Sequence, residues 1–197
     1  MFRFISSLLL TVLITTGPAL GATYSIDKAH STVGFKIRHL VGQVRGVFAD
    51  FEGAFDFDEK NPSKSKGSVT IQTASINTQE SKRDEHLKSV DFFDASKFPV
   101  MKFESAKVSK KGKDELELAG NLTIRDVTKP VKLNVLMGGI AKDPWGNTRS
   151  GFSATAKINR KDFGIVWNKT LDAGGLLIGD EVFITIEIEA IEKKEGK

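Results

Sequence analysis

The chain has 197 residues, a net charge of +4 from 29 basic and 25 acidic side chains, and no cysteine. That length fits one domain, or at most two small ones. The missing cysteines exclude disulfides, thiolate metal sites, thiol catalysis and a lipid-modified N-terminus, and the small basic excess, with Lys alternating with Glu and Asp, forms no stripe for nucleic acid.

Residues 1–22 read as a secretory signal peptide. Met1-Phe2-Arg3 is a short basic start, Leu8 to Ile14 is an apolar heart, and Ala19-Leu20-Gly21-Ala22 is a small-residue end with cleavage after Ala22. The apolar run is too short, and too interrupted by Ser and Thr, for the roughly 20 residues that span a bilayer. No later segment is long and apolar enough to do so, and stable membrane insertion is not expected. Residues 23–197 are then a single exported domain, in the periplasm if the source is a diderm bacterium.

The mature chain is dominated by a period of two, the signature of strands with one apolar and one polar face. Tyr24 to Asp27 is a first strand. Ser31 to His39 follows, with Val33, Phe35, Ile37 and His39 in one row. Gly42 to Gly46 reads as a turn, and Val47 to Phe57 as one Phe-rich strand with Val47, Ala49, Phe51, Gly53, Phe55 and Phe57 in step. Gly67 to Ile76 is another strand. The period then changes. Thr78 to Val90 is charged throughout, has a candidate cap in Thr78, and is the best helix in the mature chain; Asp94 to Lys97 adds a short helical turn. Strands resume at Val100 to Ser109, Glu115 to Arg125, Val131 to Met137 and Gly151 to Ile158. Arg160 to Gly179 is irregular, and Glu181 to Ile191 closes the chain with Val182, Ile184, Ile186 and Ile188 in one row.

About eight to nine strands joined by short connections predict an all-β, antiparallel meander closed into an eight-stranded barrel with one or two short helical insertions. The interior of such a barrel is filled by side chains or holds one small ligand. Ala49, Gly53, Thr73, Gly120, Ala154 and Ala156 sit among larger residues in the apolar rows. They leave a tunnel or fit the taper of a filled barrel; periodicity alone leaves both open.

No convincing catalytic set appears. There is no nucleophile elbow, phosphate loop or dinucleotide fingerprint. His30, His39 and His86 could in principle hold a zinc, but no pair has the spacing that puts two ligands on one element, so no metal and no cofactor is expected. The densest polar cluster is Arg83-Asp84-Glu85-His86-Leu87, a solvated helix face or a polar lid over a barrel mouth.

Several segments, taken in order, resemble the YceI-like family. They are Ile26-Asp27-Lys28-Ala29-His30-Ser31, Phe35-Lys36-Ile37-Arg38-His39, Arg83 to Leu87 with Phe92-Phe93-Asp94, Phe98-Pro99, Phe103-Glu104-Ser105, Gly120 to Ile124 with Thr128-Lys129-Pro130-Val131, and Asn159 to Gly164. Asp126 departs from the glycine expected in its turn. The resemblance implies a lipocalin-like barrel in the periplasm that binds a polyisoprenoid, an isoprenoid quinone or a similar long amphiphile, and it implies no catalysis. On that reading Phe35, Phe51, Phe55, Ile71, Phe103, Leu118, Leu133 and Phe152 line an apolar tunnel, and His39, Arg83, His86 or Arg160 meets a polar head. The competing expectations are a metal-assisted enzyme using the histidines and a filled barrel acting by its surface, for example in a stress response. Barrel ends and strand edges can pair into a homodimer.

Overall fold

The computed structural model describes residues 21–172 and 174–194; the signal peptide expected over residues 1–22 lies outside them except for Gly21 and Ala22. The strands are β1 (Ala22–Ile26), β2 (Thr32–His39), β3 (Gly42–Phe48), β4 (Phe51–Phe57), β5 (Lys66–Gln72), β6 (Ile76–Asn77), β7 (Val100–Lys110), β8 (Glu115–Ile124), β9 (Val127–Lys142), β10 (Thr148–Asn159) and β11 (Ile178–Glu192), with one α-helix, α1 (Ser81–Lys88). All pairings are antiparallel, and β1 closes the sheet on β11 through Tyr24↔Glu192, Ser25↔Ile191 and Ile26↔Ala190.

The eleven strands make eight staves, because three staves are broken midway. β1 pairs with β4 and β2 with β3, so β1/β2 and β3/β4 form one long interrupted hairpin. β5/β6 is the third broken stave, pairing with β4 and then with β3. The breaks lie side by side. Asp27 caps a 3-10 turn at Lys28–His30 by accepting from the Ala29 N–H. The second break is Ala49–Asp50, and the third is the 3-10 turn Thr73–Ser75. Ala49 N–H donates to Ser75 C=O at 3.0 Å and Gln72 N–H to Asp50 C=O at 2.9 Å, so the backbone groups freed by the breaks satisfy one another. Every stave neighbours the next in the chain, as the period-two pattern predicts.

Several local expectations change: the run Gly67 to Ile76 is the broken stave β5/β6, and Asp94 to Lys97 is a turn without helix. Gly42 to Gly46 is strand; the turn is Leu40–Val41, with Leu40 at φ +49°. The Phe-rich run is two strands, and the break slips the alternation by one residue. Phe48 is buried where Val47 is not, and Ala49 is exposed. The helix is shorter than Thr78 to Val90, and its cap is Glu80, whose carboxylate accepts from the N–H groups of Lys82 and Arg83. Thr78 instead donates its hydroxyl to Asp84 and accepts from Arg83 Nε, which fixes the entry to the helix. The Arg125–Asp126 hairpin forms without glycine, since the left-handed residue there is Arg125, at φ +57°.

Two ends follow from the strand directions. One, the helix end, carries α1, the Leu40–Val41 and Arg125–Asp126 turns and the loop 164–177. The far end carries the loops 58–65, 111–114 and 143–147. No helix among the described residues is long and apolar enough to cross a membrane.

Candidate ligand cavity

The inward rows leave a cavity of about 590 Å3 along the barrel interior. This lies within the roughly 300–1,000 Å3 usual for small-molecule sites. Its wall is built from the predicted rows: Leu116, Leu118, Leu122 and Ile124 of β8, Phe152, Ala154, Ala156 and Ile158 of β10, and Val182, Ile184, Ile186 and Ile188 of β11. Phe35, Phe55, Ile71, Phe103, Leu118, Leu133 and Phe152 all line it.

Phe51 does not. It is 4% exposed and belongs to the packed cluster containing Val33, Phe48 and Ile71, beside the cavity. Its backbone partner is Ile71, which does reach the cavity. An inward phase decides which face a side chain takes, not whether a neighbour lies between it and the lumen.

The small residues divide: Ala49 is exposed, and Thr73 is buried in the 3-10 turn away from the cavity wall. Ala154 and Ala156 form wall. Gly46 and Gly120 instead lie under aromatic rings, Gly67 meets the Phe55 Cβ and backbone, and Gly53 meets Ile26, Val69 and the Ser68 carbonyl. A Cβ on Gly46 would sit 2.5 Å from Phe35 Cζ, one on Gly67 2.5 Å from Phe55 Cβ, and one on Gly120 2.4 Å from Phe103 Cζ. Phe35↔Gly46 and Phe55↔Gly67 are register pairs. A ring that folds flat over a neighbouring glycine hugs the wall and leaves the lumen open. Tyr24, Phe55, Phe57 and Phe152 pack ring on ring towards the far end, with Phe57 and Phe152 at 5.1 Å edge to face. That last pair also borders a smaller pocket of about 190 Å3 under Gly138, Gly139 and Gly151.

The four polar candidates gather at the helix end, and all four line the cavity. They differ in what they already hold. Arg160 is 4% exposed. It donates to the carbonyls of Gly179, Ile165 and Trp167 at 2.7–2.8 Å and to Asp180 at 3.1 Å. Burial lowers its pKa, and Asp180 opposes the shift. It clamps the loop that follows β10. Arg83 donates to the Thr78 hydroxyl and carbonyl, which leaves part of its fork free. His86 pairs with Asp91 at 2.9 Å, and its ring meets Phe92 and Trp167 edge to face, each at 5.0 Å. His39 ends the inward row of β2, and among the described residues it makes no side-chain hydrogen bond.

Periodicity missed Trp167, Ile165, Leu87, Phe92 and Phe93, which close the helix end and line the cavity. They come from an irregular loop, a one-face helix and the turn after it, where no repeat marks the inward side. Asn168 supports this loop by bonding both N–H and C=O of Ile178, as a strand residue would.

Among the described residues, the only group with metal-ligand spacing is Asp27, His30 and Glu189, outside the cavity. Arg149 already joins Asp27 at 2.8 Å and Glu189 at 2.5 Å, and Asp143 at 3.0 Å. These contacts raise the Arg149 pKa, and hydrogen bonds from Arg149 and then His30 lower that of Asp27. Desolvation works to raise the Asp143 carboxyl, but donors from Asn147, Arg149 and Trp145 overcome it and hold it well below the usual range. His39 and His86 belong to no such group.

A closed up-and-down barrel around one apolar cavity is the architecture of barrels that hold small ligands. Residues 24–190 match the YceI-like domain. Protein YceI of Salmonella arizonae is 46% identical over 189 residues, covering 94% of this chain and 95% of that protein. The chain belongs to the YceI-like family. The crystal structure of the Campylobacter jejuni YceI protein is 40% identical, with a TM-score of 0.69, over 85% of this chain and 96% of that one. A polyisoprenoid binding domain from Saccharophagus degradans shares the fold at 13% identity, with a TM-score of 0.63, over 87% of this chain and 99% of that one.

Proposed function

We propose that this protein is a periplasmic carrier or sequestering protein, not an enzyme, that holds a polyisoprenoid, an isoprenoid quinone or a similar long amphiphile in its barrel. The observation that carries this reading is the continuous apolar cavity with aromatic walls, whose lining arginines and histidines gather at the helix end. An isoprenoid tail has no hydrogen-bonding demand, so such a wall suffices. Burial at roughly 25 cal/mol per Å2 supplies affinity, reduced by the cost of ordering the tail. The Saccharophagus degradans domain, described as polyisoprenoid binding, supports the same ligand class through a shared fold.

The head group belongs at the helix end, where His39 and the free part of Arg83 have hydrogen-bonding capacity to offer. Arg160 serves there by holding the loop rather than by direct contact, since most of its donors are engaged. The cavity argues against a filled barrel acting only by its surface. A metal-assisted enzyme finds no support in the arrangement of the histidines, as His30 lies with Asp27 and away from the other two.

The test is mass spectrometry of an organic extract of protein purified from its own host. One long-chain amphiphile at near one equivalent is expected. An extract without stoichiometric lipid, together with failure of the stripped protein to take up an isoprenoid quinone, would sink the reading.

A further inference from the structure

The β2–β3 hairpin ends on Leu40 and Val41, which are 43% and 107% exposed. Leu40 holds a φ of +49°, a conformation that is awkward for a bulky side chain and easy for asparagine or glycine. Folding alone would favour those residues, so the apolar tip points to a role outside the fold. Val166 and Leu176 on the neighbouring loop and Val90 after α1 are also exposed at this end. Leu40 N–H bonds to Leu177 C=O at 2.9 Å and Arg38 to Leu176 C=O at 3.2 Å, which ties the tip to that loop.

The charge within this hairpin is of one sign, although Asp180 of β11 lies near Arg38. From Thr32 to Phe48 it carries Lys36, Arg38 and Arg45 and not one carboxylate. His39, the residue before the tip, lines the cavity. An apolar tip on a basic stem, beside the mouth of an apolar cavity, is the chemistry of a surface that docks on anionic lipid. The far end also exposes a large apolar side chain, Trp145 at 79%. Leu136 and Ile140 join it there, fewer than the five exposed apolar residues Leu40, Val41, Val90, Val166 and Leu176 of the helix end.

We propose that the β2–β3 hairpin is a docking surface for an anionic phospholipid bilayer. Leu40 and Val41 dip among the acyl chains, the basic stem meets the head groups, and the helix-end mouth faces the lipid. The proposal rests on the carrier reading for its purpose, which is collection and delivery of the ligand, but its contacts lie outside the cavity.

The experiment is co-sedimentation with vesicles containing phosphatidylglycerol at low and at physiological salt. The wild-type protein, the double variant Leu40→Asn/Val41→Asn, Arg45→Gln and Trp145→Ala are compared. Asparagine suits the left-handed position, so the double variant keeps the turn. Wild type is expected to bind, more weakly as salt rises. The double variant should bind about tenfold more weakly through lost apolar burial, and Arg45→Gln about fivefold more weakly at low salt. Trp145→Ala should bind as wild type. Absence of wild-type binding, unchanged binding of the double variant, or loss of binding in Trp145→Ala instead overturns the proposal. So does a wild-type dimer in light scattering that the double variant dissolves while vesicle binding is nil, since the tip then seats a second copy. Lipid content is measured on the same samples. Tip-dependent vesicle binding by a protein without bound lipid would uphold docking and overturn the carrier reading; bound lipid without vesicle binding would do the reverse.

Discussion

Gly46 shows how one absent side chain shapes the lumen. Phe35 lies over it, and the atoms nearest to an added Cβ are side-chain atoms, Phe35 Cζ at 2.5 Å and Thr78 Cγ2 at 2.8 Å. The Phe35 ring can relieve that clash by swinging inward. Gly46→Ala should therefore fold, lose about 1–3 kcal/mol of stability to overpacking, and bind an isoprenoid quinone several-fold more weakly, as read by fluorescence titration. Unchanged affinity would show that the ring does not guard the lumen. Arg160 is the converse case, a charge buried to satisfy backbone carbonyls. Arg160→Gln strands those carbonyls and the partly exposed Asp180, and breaking such a set costs about 3–5 kcal/mol. Its urea midpoint should fall accordingly. A stable variant with impaired ligand binding would return Arg160 to the head-group role.

At the scale of the element, the long rows of β8, β10 and β11 were legible because each strand is unbroken and has one face on the cavity. The β3/β4 row was not, because the break at Ala49–Asp50 leaves no mark in composition yet shifts every later side chain by one. Glycine misled in the same region. Gly42 and Gly46 looked like a turn, but Gly46 is there to accommodate a ring, and the real turn uses Leu40. Phe51 illustrates the limit for the site, since core and cavity wall demand the same inward phase. Phe51→Leu should weaken packing in the cluster it shares with Ile71 and leave ligand affinity near wild type, whereas Phe103→Ala should change it. The break is also held by charge. Arg149 of β10 links Asp27 beside the first break, Glu189 of β11 and Asp143 of the far turn. The Asp27 and Asp143 carboxyls are lowered in the folded chain. The stability they contribute is full above the unfolded Asp pKa of about 3.9 and is lost as pH falls through their folded values. Asp180, lowered first by its hydrogen bond from Lys161, adds to the same slope. Urea midpoints measured downward from pH 5 should fall for the wild type and fall less steeply for Arg149→Met. Parallel curves would mean that the network carries no linkage.

For the whole molecule, the cavity makes stability depend on its contents. A close-packed interior keeps most apolar side chains in contact on all sides, whereas the rings over Gly46 and Gly120 face a space of about 590 Å3. An amphiphile that fills this space binds the folded barrel and not the unfolded chain. At a free concentration one hundred times Kd it stabilises the barrel by about 2.7 kcal/mol. For a chain of this size that corresponds to a rise in Tm of about 5–10 °C. The closing seam adds a second consequence, because β1, the N-terminal half of its stave, meets β11 through three register pairs while β2, the other half, meets it through seven. Loss of ligand should loosen this short seam before the rest of the barrel. Delipidated protein is thus expected to melt about 5–10 °C below the protein as purified, to recover that difference with an added isoprenoid quinone, and to exchange the amide hydrogens of Tyr24 to Ile26 faster than those of β8. Equal melting temperatures would mean that the cavity holds nothing as purified, and slow exchange at the seam would place the weak point of the empty barrel elsewhere.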